Sequence, residues 1–170
     1  MRSAAMARRA RSTIRLVDED LAYRLLRIVN LLAKPFHERY GARHDLSLAE
    51  WRILMALAAH PGASATALAD HTGMHAMNVS RSLARLVRMG RVQRETDPAD
   101  RRRALLELSP RGAALFRRIA PSAQAREDAL HRALDAREAA ALRRMLDKII
   151  ARLRSESSGR IARRRSARRR

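Results

Sequence analysis

Most of the local signals for this fold lie in GMHAMNVSRSLARLVRMGRVQRETDPADRRRALLELSPRG, residues 73–112. Its first part predicts a helix over about 75–89. At 100° per residue, the apolar side chains Val79, Leu83 and Leu86 fall on one half of this helix. The other half carries arginines and an asparagine but no acid. Because solvated helix faces usually mix both signs of charge, an acid-free face predicts binding to a polyanion.

The residue types on the polar half are those that read DNA. Arginine forms paired hydrogen bonds to guanine, asparagine does the same with adenine, and all of these side chains also bind phosphates. The polar half therefore predicts a recognition helix that lies in a major groove. Its candidate DNA-binding residues are His75, Asn78, Arg81, Ser82 and Arg85.

A β-hairpin is predicted directly after this helix. Val92 to Thr96 and Arg103 to Leu108 can each form a strand, and the Asp-Pro-Ala-Asp segment between them, residues 97–100, has the chemistry of a turn. The basic tip of the hairpin suits a minor groove, where a narrow groove strengthens the negative potential that attracts arginine. Asp100 is expected to hold one of the arginines beside it.

Working outward, two more helices complete a DNA-binding motif. Ser47 and Glu50 form a capping box at the start of a helix that runs to His60. Ser64 caps a short helix before the turn at 72–73. Two short helices joined by a tight glycine-containing turn are typical of a helix-turn-helix, so residues 46–109 are predicted to form a winged helix-turn-helix.

Long helices flank this motif. An apolar-periodic run predicts a helix over about 19–40, which Pro35 should kink or shorten, and its wide stripe suggests burial against a second chain. Residues 110–154 predict further helices, with a break or kink at Pro121 and a capping box at Asp135 that starts the last one. The predicted fold class is therefore mainly α with a small β-hairpin wing.

The net charge of +20, from 37 basic and 17 acidic residues, lies mostly in the two ends. Residues 1–17 are expected to be a basic disordered arm, a composition that a mitochondrial transit peptide shares, and 155–170 an Arg-rich disordered tail. The tails are either inert or attract phosphates without reading sequence. The chain has no cysteine, which excludes disulfides, thiolate catalysis and cysteine redox sensing. No apolar run is long enough to span a membrane, so a cytoplasmic, nucleoid-associated protein is expected.

Enzyme and metal chemistry are not supported by the sequence. His71 and His75 are four residues apart, but Gly73 lies in the turn between them, so they need not share a helix face. Asp70 is adjacent but belongs to the turn-facing end of a helix. No nucleophile triad, Gly-rich phosphate loop or pair of carboxylates stands out. We therefore expect no enzyme activity, no cofactor and no metal site.

At this point the residues resemble the MarR family of bacterial transcriptional regulators. The resemblance rests on the DPADRR wing, the recognition-helix spacing and the LSPRG helix start within 73–112, together with LSLAEWRILMALAAHPGASATALA at 46–69, and it covers about 18–154. It implies a homodimer, held by the N- and C-terminal helices 19–40 and 110–154, that binds a palindromic operator and is expected to repress transcription. It also implies DNA contacts by Ser80, Arg101 and Arg102. Ser80, however, falls on the inner half of the helical projection.

The resemblance further implies a small aromatic effector bound beside the dimerisation helices. Tyr23, His44, Trp51 and Phe116 are the candidate effector-binding residues, and simple packing is the alternative for each of them. The alternative for the whole chain is a nonspecific architectural DNA-binding protein driven by its basic tails.

Overall fold

The structure, a computed structural model, describes residues 20–96 and 104–167, with side chains through 156. The basic arm 1–17 and the wing-tip residues Asp100, Arg101 and Arg102 lie outside the described residues. The helices are α1 (Leu21–Phe36), α2 (Ala42–His44), α3 (Leu48–Ala59), α4 (Ala65–Thr72), α5 (Ala76–Arg88), α6 (Pro110–Arg132) and α7 (Ala136–Ala167). A π-helical turn, His37–Gly41, joins α1 to α2. The strands β1 (Val92–Thr96) and β2 (Ala104–Leu108) pair in an antiparallel hairpin, which confirms the predicted fold class.

The helices begin where the capping chemistry predicts. At α3 the Ser47 hydroxyl accepts from the Glu50 backbone N–H at 3.2 Å, and the Glu50 carboxylate accepts from the Ser47 N–H at 2.8 Å. The same reciprocal pair joins Asp135 and Glu138 at α7. Because a cap satisfies backbone donors that the helix itself cannot bond, short polar side chains fix these boundaries locally.

The two helix-internal prolines differ in their effect. Helix α1 ends at Phe36, one residue after Pro35 and short of the predicted end at 40, whereas α6 runs through Pro121 to Arg132 without the predicted break. Proline removes one backbone hydrogen bond, and α6 continues with the bonds on either side of it. Downstream of Pro35 the helix passes into the π-helical turn, the kind of local irregularity that absorbs a disturbed hydrogen-bond ladder.

The C-terminal helix is longer than the domain limit of 154 that the sequence suggests. Helix α7 continues to Ala167, into the stretch expected to be a disordered tail. An i,i+4 ion pair between Arg152 Nε and Glu156 Oε1, at 2.9 Å, bridges the point where the tail was expected to begin.

The chain divides into two compact units, Met1–Pro121 and Ser122–Arg170. In the first unit, helices α3, α4 and α5 enclose a core that includes Trp51, Leu57, Leu68 and Val79, each exposed by 2% or less. The hairpin is attached to the loop between α3 and α4, because the Gly62 N–H donates to the Leu106 carbonyl at 3.0 Å. Within the described ranges, no helix is long and apolar enough to cross a membrane.

Candidate nucleic-acid interface

Helix α5 is held at its start by a sharp turn and a side-chain cap. Gly73 ends α4 in the left-handed conformation (φ 66°, ψ 11°), which glycine adopts without steric cost. His75 is the N-cap residue of α5, and its Nδ1 accepts from the Met77 N–H at 3.3 Å. Val79, Leu83 and Leu86 are buried, as the projection predicts. The remaining face of α5 is therefore the one presented to solvent.

Three of the predicted DNA-binding side chains lie in one groove. Asn78, Arg81 and Ser82 line a groove of about 540 Å³ between α5 and α3. Its other lining residues are Leu48, Ala49, Arg52, Gly73 and Met74, so the lining contains two arginines and no acid. Arginine and asparagine beside each other, with no carboxylate to neutralise the charge, suit the edges of bases and the phosphates around them.

Arg52 is a member of this groove that sequence reasoning missed. It lies on α3, one turn after Leu48, which lines the same groove. The spacing of four residues between Leu48 and Arg52 could have shown that they share a helix face. Nothing in the sequence, however, shows that this face of α3 lies beside Asn78 and Arg81.

Ser80 lies on a different side of α5 from Asn78 and Arg81. It lines a second groove, of about 850 Å³, between α4, α5 and the base of the hairpin, together with Arg94 of β1 and Asp70 of α4. Ser80 is exposed, although the helical projection placed it on the inner half. The small residue Ala84, one turn after Ser80, lines the same groove.

Arg85, which the sequence predicts as a DNA contact, is bound within the protein. Its Nη1 donates to both carboxylate oxygens of Glu50, at 2.7 Å each, and its Nη2 donates to Asp45 Oδ1. These hydrogen bonds, that to Glu50 first, raise the pKa of Arg85. The side chain of Glu50 is only 3% exposed, so the carboxylate depends on Arg85 for its neutralisation.

A second arginine, Arg91, lies just before β1 and binds the backbone of His44 and Asp45. It is 6% exposed and donates through Nη1 to the Asp45 carbonyl at 2.9 Å and through Nη2 to the His44 carbonyl. Burial lowers the pKa of Arg91, although the charges of Glu50 and Asp45 act in the opposite direction. No feature of the sequence indicates this role, because Arg91 is one of several arginines spread between Arg81 and Arg103.

The base of the predicted wing is in place. Strands β1 and β2 pair in a register that runs from Val92 opposite Leu108 to Thr96 opposite Ala104. The register leaves residues 97–103 to form the connection at the far end. Asp100, Arg101 and Arg102 fall within that connection, outside the described residues, and their roles stay predictions.

Three of the four candidate effector residues, Trp51, Phe116 and His44, lie in or beside one aromatic cluster. Trp51 is stacked between Phe36 and Phe116, with ring centroids 6.1 and 5.5 Å away, and its 2% exposure makes it a core residue. His44 joins this cluster through Tyr40, at 6.2 Å. Burial first, and then the charges of nearby arginines, lower the pKa of His44.

Tyr23 lies apart from the cluster. It is 44% exposed and lines a shallow groove of about 550 Å³ whose other lining residues belong to α1 and the π-helical turn. In the part of the chain that the structure describes, no group of three or more His, Cys, Asp or Glu residues is arranged to hold a metal ion.

Comparison with known proteins agrees with this geometry. Residues 44–103 match the MarR family. A MarR-family transcriptional regulator from Silicibacter pomeroyi is 26% identical, with a TM-score of 0.70 over 80% of this chain and 91% of that one. BpsR of Bordetella bronchiseptica, whose DNA binding is regulated by 6-hydroxynicotinic acid, is 25% identical, with a TM-score of 0.66 over 77% and 93%.

A third solved structure is a protein–DNA complex. The transcriptional repressor CouR, bound to a 23-mer DNA duplex, is 30% identical, with a TM-score of 0.64 over 79% of this chain and 94% of that one. A search of curated proteins finds no match. The motif at 44–103, the winged fold and the identity to CouR agree with one another, and the chain belongs to the MarR family of transcriptional regulators.

Proposed function

We propose that this regulator is a repressor that binds a palindromic operator as a homodimer and reads it with the first two turns of α5. The observation that carries the proposal is the acid-free groove in which Asn78 and Arg81 lie beside Arg52. In a major groove, Asn78 would pair with adenine and Arg81 with guanine, while Arg52 would reach a phosphate. The repressor–DNA complex of CouR supports this use of the fold.

The homodimer is supported by apolar faces that each unit leaves uncovered. In the first unit α1 exposes a row of large apolar side chains, and in the second unit α7 does the same. Faces of this kind on a protomer mark interaction surfaces, and closed two-fold pairing is the commonest way to cover them. The side chains are Leu21, Leu26, Ile28, Val29 and Leu31 on α1, and Leu142, Met145, Ile150 and Leu153 on α7.

A two-fold dimer explains why the operator would be palindromic. Each subunit would present one α5 to a half-site, with the half-sites about one helical turn, or roughly 10 base pairs, apart. Arg101 and Arg102 of each wing tip, positioned by Asp100, would reach the flanking minor grooves. His75 and Ser82 would contact the sugar-phosphate backbone of the DNA.

We also propose that a small aromatic effector weakens the DNA complex, and the regulation of BpsR DNA binding by 6-hydroxynicotinic acid supports an effector of this class. Tyr23, His44 and Phe116 keep their candidate roles, whereas the packing of Trp51 makes it a wall at most. A panel of hydroxylated aromatic acids added to the operator complex tests this, and an unchanged complex with every acid would count against it.

A nonspecific architectural protein is the alternative, and a deletion separates the two. We expect the full chain to scatter light as a dimer of the 19.2 kDa protomer and to select one palindromic sequence from a random pool. Deleting 1–15 and 155–170 should leave that selectivity in place and mainly flatten the salt dependence. A truncated chain that loses DNA binding altogether, or a full chain that selects no sequence, would favour the alternative.

A further inference from the structure

The link between α2 and α3 carries an unusual backbone conformation. Asp45 has φ 47° and ψ 59°, and among the described residues it is the only non-glycine residue with a positive φ. Aspartate tolerates this left-handed region better than most residues, but the surroundings must still hold it there. Two arginines from the DNA-binding half of the motif do so.

Both arginines bind the same backbone carbonyl. Arg85 Nη1 approaches the Asp45 carbonyl at 3.4 Å and Arg91 Nη1 approaches it at 2.9 Å. Arg85 lies near the end of α5, and Arg91 precedes β1. One carbonyl therefore ties the recognition helix and the first strand of the wing to the segment 44–50. We call Arg85, Arg91, Asp45 and Glu50 the arginine clamp.

Arg85 has little capacity left for a phosphate. Both of its terminal nitrogens donate to carboxylates, and one of these carboxylates, that of Glu50, is buried and bonded also to the Ser47 N–H. At Nη1 a DNA phosphate would have to displace the buried Glu50 carboxylate, and leaving a buried charge unpaired is strongly unfavourable. At Nη2 it would have to compete with the carboxylate of Asp45, whose side chain is exposed. Arg81, one turn earlier, lines the open groove instead.

We infer that Arg85 and Arg91 are positioning residues that set the orientation of α5 for base reading without contacting DNA. The inference rests on the proposed function, because it concerns how Asn78 and Arg81 are aimed. Base readout needs side chains placed within about half an ångström. The apolar face of α5 fixes its depth, and the clamp fixes the end of the helix away from the reading residues.

The test compares Arg85→Gln with Arg81→Gln in the full chain, on the selected operator and on a random duplex over a range of salt. For Arg85→Gln we expect operator affinity to fall at least tenfold, random-duplex affinity to stay within about twofold, and the salt slope to stay that of the wild type. A phosphate contact would instead lower the slope by about one per subunit and weaken both duplexes alike. That second pattern would overturn the inference.

A readout without DNA keeps the inference independent of the proposed function. Amide hydrogen exchange over residues 42–50 should speed up in Arg85→Gln and stay unchanged in Arg81→Gln, since Arg85 is bonded to Asp45 and Glu50 in this segment and Arg81 lines the open groove. Equal exchange in wild type and Arg85→Gln would overturn the clamp even if an operator exists. Failure of the wild type to prefer any sequence would overturn the proposed function and leave this measurement standing.

A second substitution that restores operator affinity to Arg85→Gln provides the last test. This test also applies if Arg85→Gln alone does not fold. In the double variant Glu50→Gln/Arg85→Gln, two amides replace the two charges, so no buried carboxylate is left unpaired. We expect it to fold and to recover part of the operator affinity that Arg85→Gln loses. A double variant that folds but binds the operator no better than Arg85→Gln, with a shallower salt slope, would show that the lost charge had been on DNA.

Discussion

Two arginines of α5, Arg81 and Arg85, lie one helical turn apart, yet their environments are opposite. Arg81 lines a groove that contains no acid, whereas Arg85 is held by Glu50 and Asp45. On a helix, residues four apart share a face, so the sequence alone treats the two as equivalent. The difference comes from what packs against each arginine. The turn around Arg81, called the reading end, is left open, whereas the turn around Arg85, called the anchored end, is held by Glu50 and Asp45.

The largest expected effect is a loss of stability on substitution of Gly112, which packs against the backbone of Arg91. A Cβ at Gly112 would lie 1.8 Å from the Arg91 carbonyl oxygen, which already accepts from the Ser109 N–H at 3.1 Å. Gly112→Ala must therefore push the start of α6 away from β1, and we expect it to lower the free energy of unfolding by about 3 kcal/mol. Urea denaturation followed by circular dichroism measures this.

Gly41→Ala is the matched control for that substitution. A Cβ at Gly41 meets its nearest neighbour, the Leu46 carbonyl oxygen, at 3.5 Å, which is ordinary contact, and the residue is helical. Alanine there should leave stability unchanged or raise it by up to about 1 kcal/mol. Equal stability of the two variants would mean that α6 does not pack against Arg91 as closely as the structure has it.

Local chemistry explains which parts of this molecule the sequence predicts. The caps at Ser47, Ser64 and Asp135 involve partners within three residues, and each helix begins where its cap indicates. The buried face of α5 follows from its period, and the hairpin strands follow from the turn between them. All of these features depend on residues that are close to one another in the sequence.

Partners distant in sequence explain the rest. Arg85 and Glu50 are 35 residues apart, and no pattern in either segment announces their contact. The same holds for Arg52, which joins the groove only because α3 packs beside α5.

The next prediction concerns the reading end and leaves the anchored end intact. Arg81→Ala should weaken operator binding by about 2 kcal/mol and reduce discrimination at one base pair, because a paired contact to guanine is lost. Its free energy of unfolding should stay within about 0.5 kcal/mol of the wild type, since the side chain is exposed. Titration of operator variants, alongside urea denaturation, measures both.

The contrast with Arg85 makes this prediction discriminating. Equal losses of affinity on operator and random DNA for Arg81→Ala would remove it as a base reader and leave it a phosphate contact. A large loss of stability would mean that the two ends of α5 do not differ in the way described.

The smallest expected effect is a change in the free energy of unfolding with pH, caused by the ionisation of His44. His44 supplies one of the carbonyls that Arg91 binds, and its imidazole stacks on Tyr40. Burial, followed by the charges of Arg118, Arg43 and Arg91, lowers the pKa of His44 below its ordinary value of 6.5. The unfolded chain therefore takes up the proton more readily than the folded chain does, so protonation favours unfolding.

It follows that the free energy of unfolding has its full value above pH 6.5 and declines as the pH falls through and below that value. His44→Phe keeps a ring that can stack on Tyr40 but cannot take up a proton. Its unfolding free energy should fall less than that of the wild type between about pH 7 and pH 5, as measured by urea denaturation at each pH. Parallel curves for the two proteins would show that the ionisation of His44 is not coupled to the segment that the arginine clamp holds.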